Sequence, residues 1–481
     1  MMLRKFPLAL LATIILAGCN MAPEYHRPAM PVPAELPFGS TEPQQGTIEP
    51  ADLAWRDFFT DERLRRLIAL ALENNRDLRV ALANVAQARA QFHVQRADLA
   101  PGLSANAGAT FERNSAGLSG STAIPGAENG GGTANGVGRR LDIYSVEAGI
   151  SAWEIDLFGR LRNLDRAAQE QYFASQSARD ATQTALIAEL ASAYLTLAAD
   201  QDRLNITRDT LSAFGQTFEL TRERFRGGIA SELDVQQAQT SRDQARSDMA
   251  ELTTLVAQDR NRLNLLVGAT VPAELLPTGL SPNGSTIAQL PGNLDSTILL
   301  RRPDIAEAES LLRAANASIG AARAAFFPKI SLTAVAGTMS LGLSNLFGGG
   351  SDTWTVAPSA TMPIFDFGRT KGNLRYAEAS RDVALARYEQ SIQSAFREVA
   401  DALAQRETIG TQLDALTSLR NAASGAYRLS EARYRAGIEP FLNTLDAQRT
   451  LYAAQQGLIS SRLTAETNLI ELYRSLGGGL R

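Results

Sequence analysis

Arg224-Phe225-Arg226-Gly227-Gly228-Ile229-Ala230-Ser231-Glu232-Leu233-Asp234-Val235-Gln236-Gln237-Ala238-Gln239 is a stretch that the chain writes twice. It returns as Arg433-Tyr434-Arg435-Ala436-Gly437-Ile438-Glu439-Pro440-Phe441-Leu442-Asn443-Thr444-Leu445-Asp446-Ala447-Gln448. In each copy a helical pattern runs into Arg-x-Arg-x-Gly-Ile, breaks, and restarts as a new helix ending in Ala-Gln. Gly228 and Gly437 suit the left-handed position that closes a helix. Ser231 or Glu232, and Glu439-Pro440, suit the first turn of the next one, where acids and proline are favoured. The stretch therefore predicts a helical hairpin tip, present twice.

The tips lie 209 residues apart, and the same offset pairs Phe158-Gly159-Arg160 with Phe367-Gly368-Arg369, and Glu189, Leu204, Leu263 and Gly268 with Glu398, Leu413, Leu472 and Gly477. Upstream, Asp77, Ala81 and Pro101 pair with Asp304, Ala308 and Pro328 at an offset of 227, so the first copy carries 18 extra residues between Pro101 and Phe158. That interval holds the glycine-rich run 126–136, where insertion costs little. A single repeat of this size is a duplicated half-molecule and not a short-period solenoid.

Aromatic content is only 6%, which suits helices packed closely along thin seams. Net charge is −4, and −6 once Arg4 and Lys5 are removed with a leader, with no basic stripe to suggest nucleic acid. The leader itself is legible: Arg4-Lys5, then an apolar run from Phe6 to Ala17, too short to span a membrane. It ends in Leu16-Ala17-Gly18-Cys19, and Cys19 is the only cysteine, so no intrachain disulfide can form. This resembles a bacterial lipobox, which implies residues 1–18 as lipoprotein signal peptide and acylation of Cys19. A lipid chain and a second membrane contact together give stable anchoring.

Residues 19–57 read as an extended, proline-rich linker. Thr60 or Asp61 is a plausible N-cap for the helix that Asn74-Asn75 interrupts, and a second helix begins at Asp77 and stops before Pro101. After Pro101 the period switches to two. Leu103, Ala105, Ala107, Ala109 and Phe111 alternate with polar neighbours, as do Tyr144, Val146, Ala148, Ile150 and Ala152. The second half repeats this at Ile330, Leu332, Ala334 and Ala336, then at Trp354, Val356, Pro358, Ala360 and Met362. Residues 101–156 and 328–365 are thus expected as two hairpins with strands of the length of tilted membrane strands. Soluble hairpins on a core would read the same way. If these strands do cross a membrane, four cannot close a barrel, and open edges are not tolerated in lipid. Three copies would give twelve strands.

Residues 58–100, 157–327 and 366–477 are helical in pattern, including a connector rich in Pro, Gly, Thr and Ser at 269–294. About 68 residues separate Phe158 from the Arg226-Gly227 turn, roughly 100 Å if continuous, with Gly215 as a candidate break. Leu186, Leu190, Leu197, Leu204 and Leu211 fall at spacings of four and seven, a coiled-coil-like seam, and Leu252, Leu255, Val256, Leu263, Leu266 and Val267 carry the return helix. No catalytic constellation, nucleotide motif or cofactor site is legible, and neither His26 nor His93 has a partner at metal-ligand spacing. The chain does not read as an enzyme.

Several motifs together carry a family resemblance: the lipobox at Cys19, Ala22-Pro23-Glu24-Tyr25-His26-Arg27-Pro28, Trp55-Arg56-Asp57-Phe58-Phe59, Asn75-Arg76-Asp77-Leu78, Asp156-Leu157-Phe158-Gly159-Arg160, Arg301-Arg302-Pro303-Asp304-Ile305 and the two tips. The chain resembles the TolC-like outer-membrane factors, in their NodT/OprM-type branch. The resemblance implies a homotrimer in the bacterial outer membrane, with a long coiled-coil helical tunnel and a shared twelve-stranded transmembrane β-barrel. It implies partners too: a periplasmic membrane-fusion adaptor, an inner-membrane RND pump, and outer-membrane lipid through a palmitate-bearing Cys19. Arg226, Gly227, Gly228 and Ile229, with Arg435, Ala436, Gly437 and Ile438, correspond to tips that meet the adaptor; as helix caps they would look the same. Leu442 and Asp446, four apart and on one helical face, match an apolar and an acidic ring at a closed aperture. An Asp near a helix start is also favoured by the backbone alone. Where relatives carry a second acidic ring this chain has Asn443, and its first repeat has Asp234. The implied function is a passive exit duct for drugs and small amphipathic compounds. A duct for metal ions or polypeptides, and a lipid-anchored coiled-coil scaffold, are the alternatives.

Overall fold

A computed structural model describes residues 20–37, 52–113, 140–281, 284–286 and 295–480. The leader 1–18, Cys19, the glycine-rich run 126–136 and residues 282–283 and 287–294 of the connector 269–294 lie outside the described residues. The helices are α1 (Trp55–Phe58), α2 (Glu62–Asn74), α3 (Arg76–Ala97), α4 (Arg160–Arg226), α5 (Glu232–Val267), α6 (Pro303–Ala324), α7 (Arg369–Arg435) and α8 (Phe441–Ser475). The strands are β1 (Leu103–Arg113), β2 (Arg140–Ile155), β3 (Lys329–Ser340) and β4 (Asp352–Thr361). The mixed class expected from the sequence is the class found. Both α4 and α7 are 67 residues long, so the duplication extends to helix length. No described helix is long and apolar enough to cross a membrane. Gly215 does not break α4. A mid-helix glycine costs only about 1 kcal/mol, and buried Phe214 and Phe218 hold the helix on either side of it.

The chain divides into two compact units. One contains the strands and residues 20–26, 88–171 and 312–383. Its sheet has the order β1-β2-β3-β4, antiparallel throughout. The registers put Leu103 opposite Ile150, Ile150 opposite Ala334, and Ala334 opposite Val356, so the apolar alternation of every strand falls on one face. Asn106, Glu147 and Gly337 share the other face with Thr353, and that face is polar. Between Ile150 and Trp153 the β2–β3 register shifts at a bulge, where Ala152 sits at φ 50° and its N–H donates to Thr333 Oγ1 at 3.1 Å. Leu103 faces Ile150 and its repeat mate Ile330 faces Ala360, an offset of 210 across the second pair, against 209 at Phe158 and Phe367. One of the 18 additional residues of the first half is therefore the bulge, and the rest lengthen the hairpin loop.

At the base of β2, Glu154 accepts from Arg160 at 2.6 and 2.7 Å and pairs with Lys329 at 3.1 Å. The Phe158 ring stacks on Phe327 at 4.7 Å. The extended residues after Cys19 lie on α4 and α6, where Asn316 Nδ2 donates to Pro23 O at 2.8 Å. A Cβ at Gly320 would stand 2.7 Å from Ala22 Cα, so only glycine lets this segment approach α6 so closely.

The other unit contains residues 27–87, 172–311 and 384–480. Its core gathers Trp55, Phe58, Phe59, Leu64, Leu67 and Ile68 around Leu186, Leu190, Leu197 and Leu204, the seam expected from the spacing. Phe58 stacks on Tyr473 at 3.9 Å, and the Tyr473 hydroxyl donates to Leu53 O at 2.6 Å. Asp61 is the N-cap of α2, accepting from Arg63 N and Leu64 N. Buried Asn75 accepts from Leu78 N and donates to Leu266 O at 2.7 Å, which is why a polar pair interrupts α2 and α3. Gly268, at φ 74°, closes α5 in the left-handed conformation.

Candidate functional site

Both tips form as expected from their residues. In the first, α4 ends at Arg226, Gly228 sits at φ 74°, Gly227 N donates to Glu223 O at 3.0 Å, and Ile229 N donates to Arg224 O at 2.8 Å. That is a left-handed cap with the chain reversed in a few residues. Ser231 caps α5 in a capping box: Asp234 N donates to Ser231 Oγ at 3.1 Å, and Ser231 N donates to Asp234 Oδ2 at 3.0 Å. Asp234 is thus committed to holding its own helix start.

In the second tip Gly437 takes φ 75° and Ile438 N donates to Arg433 O at 2.9 Å. Pro440 caps α8 without a side-chain bond, and Glu439 gathers the turn instead, accepting from Arg433 Nε at 3.0 Å and Asn443 Nδ2 at 3.0 Å. Arg435 pairs with Glu431 at 2.7 Å, and Arg226 with Glu223 at 2.6 Å. Ile229 is 79% exposed and Ile438 67%, while Gly227, Gly228, Ala436 and Gly437 are exposed beside them. Each turn presents a bare isoleucine beside a left-handed glycine, with paired charges next to it.

The two hairpins meet in a small apolar cluster of Phe214, Phe218, Ala238, Ala245, Tyr434, Phe441 and Leu445. Arg224 lies over the Tyr434 ring at 4.4 Å and Arg242 over Phe218 at 4.2 Å. With Phe441 and Leu445 turned into that cluster, the first turns of α8 direct Leu442, Asn443 and Asp446 outward, where all three are exposed. The structure therefore brings Leu442 and Asp446 onto one bare helical face and commits Asp234 to its own cap.

The sequence reading missed a polar ladder joining the hairpins further along. Arg449 Nε donates to Ser241 Oγ at 2.9 Å, the Tyr452 hydroxyl donates to Asp248 at 3.0 Å, and Gln456 Nε2 donates to Thr207 Oγ1 at 3.2 Å. These residues lie about 200 or more apart in sequence, and no local pattern marks them. A carboxyl pair, Asp200 of α4 and Asp259 of α5, was also missed, because no local pattern shows that the two helices bring them together. Burial, then the neighbouring Asp200 carboxylate, push Asp259 up to about 6, against the opposing pull of Arg262. Asp200 in turn accepts from Arg203 at 3.2 Å.

This pair makes a pH prediction. The folded value lies above the roughly 3.9 of an unfolded aspartate, so between the two the folded chain holds the proton more tightly. The pair's contribution to stability is expected to fall as pH rises from about 4 to 6, and Asp259→Asn should make the slope over that range shallower. Thermal midpoints of parent and variant across this range test it; parallel curves would refute it.

The pattern of the outer membrane efflux protein family matches residues 67–269 and 294–478. The toluene efflux pump outer membrane protein TtgC of Pseudomonas putida is 45% identical over 467 residues, 97% of this chain and 93% of that one. Among solved structures, a membrane protein from Pseudomonas aeruginosa superposes with a TM-score of 0.86 at 41% identity, covering 96% of this chain and 98% of that one. The open state of the MtrE outer membrane channel of Neisseria gonorrhoeae gives a TM-score of 0.84 at 36% identity, covering 96% and 99%. With both repeats matched and nearly the whole length aligned, the chain belongs to the outer membrane efflux protein family.

Proposed function

We propose that three copies of this chain form the outer-membrane exit duct of a tripartite efflux system, which passes drugs and small amphipathic compounds and is driven by an inner-membrane RND pump. One observation carries the reading: a four-stranded sheet with one apolar face, one polar face and two unpaired edges. Such a sheet is stable in lipid only when closed, with its polar face inward around water. Three copies supply twelve strands. The acylated Cys19 adds a lipid anchor at the outer membrane, and relatives named for toluene and antibiotic efflux favour small apolar and amphipathic cargo.

The tips at 226–229 and 435–438 dock a periplasmic membrane-fusion adaptor. Their exposed Ile229 and Ile438 on rigid turns suit insertion between the helices of a partner hairpin. Leu442 and Asp446 of three copies face one axis and form the aperture. Purified, lipidated protein reconstituted in a planar bilayer should conduct small, cation-preferring currents. A folded, lipidated protein that gives no channel would overturn the duct and promote the anchored-scaffold reading.

A further inference from the structure

Where β2 runs into α4 and α6 runs into β3, the chain encloses a cavity of about 310 Å³. Phe158, Phe327 and Pro363 give it an apolar wall, and Glu154, Arg160 and Lys329 a charged one. The duplication does not copy it: the repeat mates of Glu154, Phe327 and Lys329 are Pro363, Ala100 and Gly102, which supply neither charge nor ring. The β2 bulge makes the difference. Up to Ile150 the even-numbered residues of β2 lie on the apolar face of the sheet. The extra residue inverts that parity, so Glu154 falls opposite Ser331 on the polar face, next to the position of Lys329, which lies opposite Thr361. A straight strand would have put this carboxylate among apolar side chains. Bulges at barrel rims are a recurrent way of re-aiming one side chain.

Charge at the cavity is unbalanced. Glu154 gives both oxygens to Arg160 and is paired with Lys329 as well. Asp156, at the cavity edge, is taken by Arg162, whose backbone N and Nε donate to it at 3.0 and 3.2 Å. Two cations thus share one carboxylate, and the surplus positive charge rests on Lys329, whose side chain is 57% exposed. An ammonium carries three donors, and the pairing with Glu154 engages one of them. Beside it the rings of Phe158 and Phe327 are stacked within 18° of parallel, a flat aromatic surface. A basic point next to such a wall, in a chain of net charge −4, selects a small molecule with both a ring and an acid group. The volume lies at the lower end of ligand pockets, which run from about 300 to 1,000 Å³, so the occupant is compact.

We propose that this cavity binds small aromatic carboxylates, with the acid on Lys329 and the ring against Phe158 and Phe327. Its place on the cargo's path rests on the duct reading, in which the polar face of the sheet lines the lumen; the cavity itself lies within one chain. Lys329 reports on its own occupancy, because Lys329 and Lys371 are the only lysines beyond the leader and both are exposed. Full-length, lipidated protein in phosphatidylcholine vesicles is acetylated with a limiting amount of an amine-reactive ester, and each lysine is read by mass spectrometry. With 2-naphthoate present, Lys329 should react several-fold more slowly and Lys371 at an unchanged rate. Acetate, an acid without a ring, and the trimethylammonium analogue of naphthoate, a ring without an acid, should each protect Lys329 far less. Phe327→Ala should lose most of the protection by naphthoate. Equal protection by acetate or by inorganic phosphate would overturn the aromatic class. No protection by naphthoate, or equal slowing of Lys371, would remove the site. Conductance of the same preparation separates the two readings: a conducting protein with Lys329 unprotected keeps the duct and loses the site, whereas protection without a channel keeps the site and loses the duct.

Discussion

Replacing Leu442 and Asp446 together with alanine is expected to raise single-channel conductance several-fold and to weaken the preference for cations. Both side chains are exposed while Phe441 and Leu445 on the other side of the same turns are buried. Alanine also keeps helix propensity, so the substitution leaves the hairpin cluster untouched. In a trimer each position becomes a ring of three. Three leucines near an axis form an apolar constriction that sheds water, and three carboxylates attract cations while repelling one another. At a separation of about 8 Å and an effective dielectric near 20, each carboxylate pair repels by roughly 2 kcal/mol. In the proposed duct that repulsion sets the aperture close to opening, and the leucine ring with the tip packing holds it shut. Leu442→Ala alone should therefore raise conductance, Asp446→Ala alone should mainly shift ion selectivity, and the double variant should do both. Parent and variants are compared in planar bilayers. Conductance indifferent to all three variants would keep the duct and move its constriction to another part of the chain.

How far the fold was legible follows from which residues act locally. Gly228 and Gly437 each signal a left-handed cap by type and spacing, and both adopt it. The strands were readable because alternate residues must face alternate sides, and the observed registers keep that alternation coherent over four strands. The repeat was readable because duplication preserves offsets. What escaped is long-range. Tyr452 and Asp248, Arg449 and Ser241, and the Asp200–Asp259 pair are ordinary polar residues on helices, and their meaning depends on which helix lies opposite. Asp234 shows the converse. Its offset matches Asn443 in the second repeat, but the serine three residues before it makes the capping box its local role. The exposed face at the start of α8 was half legible: spacing put Leu442 and Asp446 together, while their exposure depends on Phe441 finding Tyr434 at 5.6 Å.

Arg302→Ala is expected to cost about 3 kcal/mol of stability. The guanidinium is 5% exposed and satisfied on all sides. Its Nε and Nη2 donate to Asp304 at 3.0 and 2.7 Å, Nη2 also to Glu398 of α7 at 2.9 Å, and Nη1 to Ser475 O, the last residue of α8, at 2.9 Å. One planar group thus ties the start of α6 to the two helices of the second repeat. This explains why Arg302 and Asp304 flank the proline that opens α6. Removing one member of a buried ion pair costs about 3–5 kcal/mol, because the charge left behind loses both water and partner. The lower end applies here, since Asp304 is 41% and Glu398 26% exposed and both recover some hydration. Glu398 also keeps Arg474 at 3.1 Å. Arg302→Lys should lose an intermediate amount: an ammonium retains the charge but cannot reach two carboxylates and a carbonyl with one fork. The check is the thermal midpoint of the far-ultraviolet helical signal in detergent, expected to fall by several degrees for alanine and by less for lysine. An alanine variant matching the parent would mean that the network adds nothing to a fold held by its apolar core.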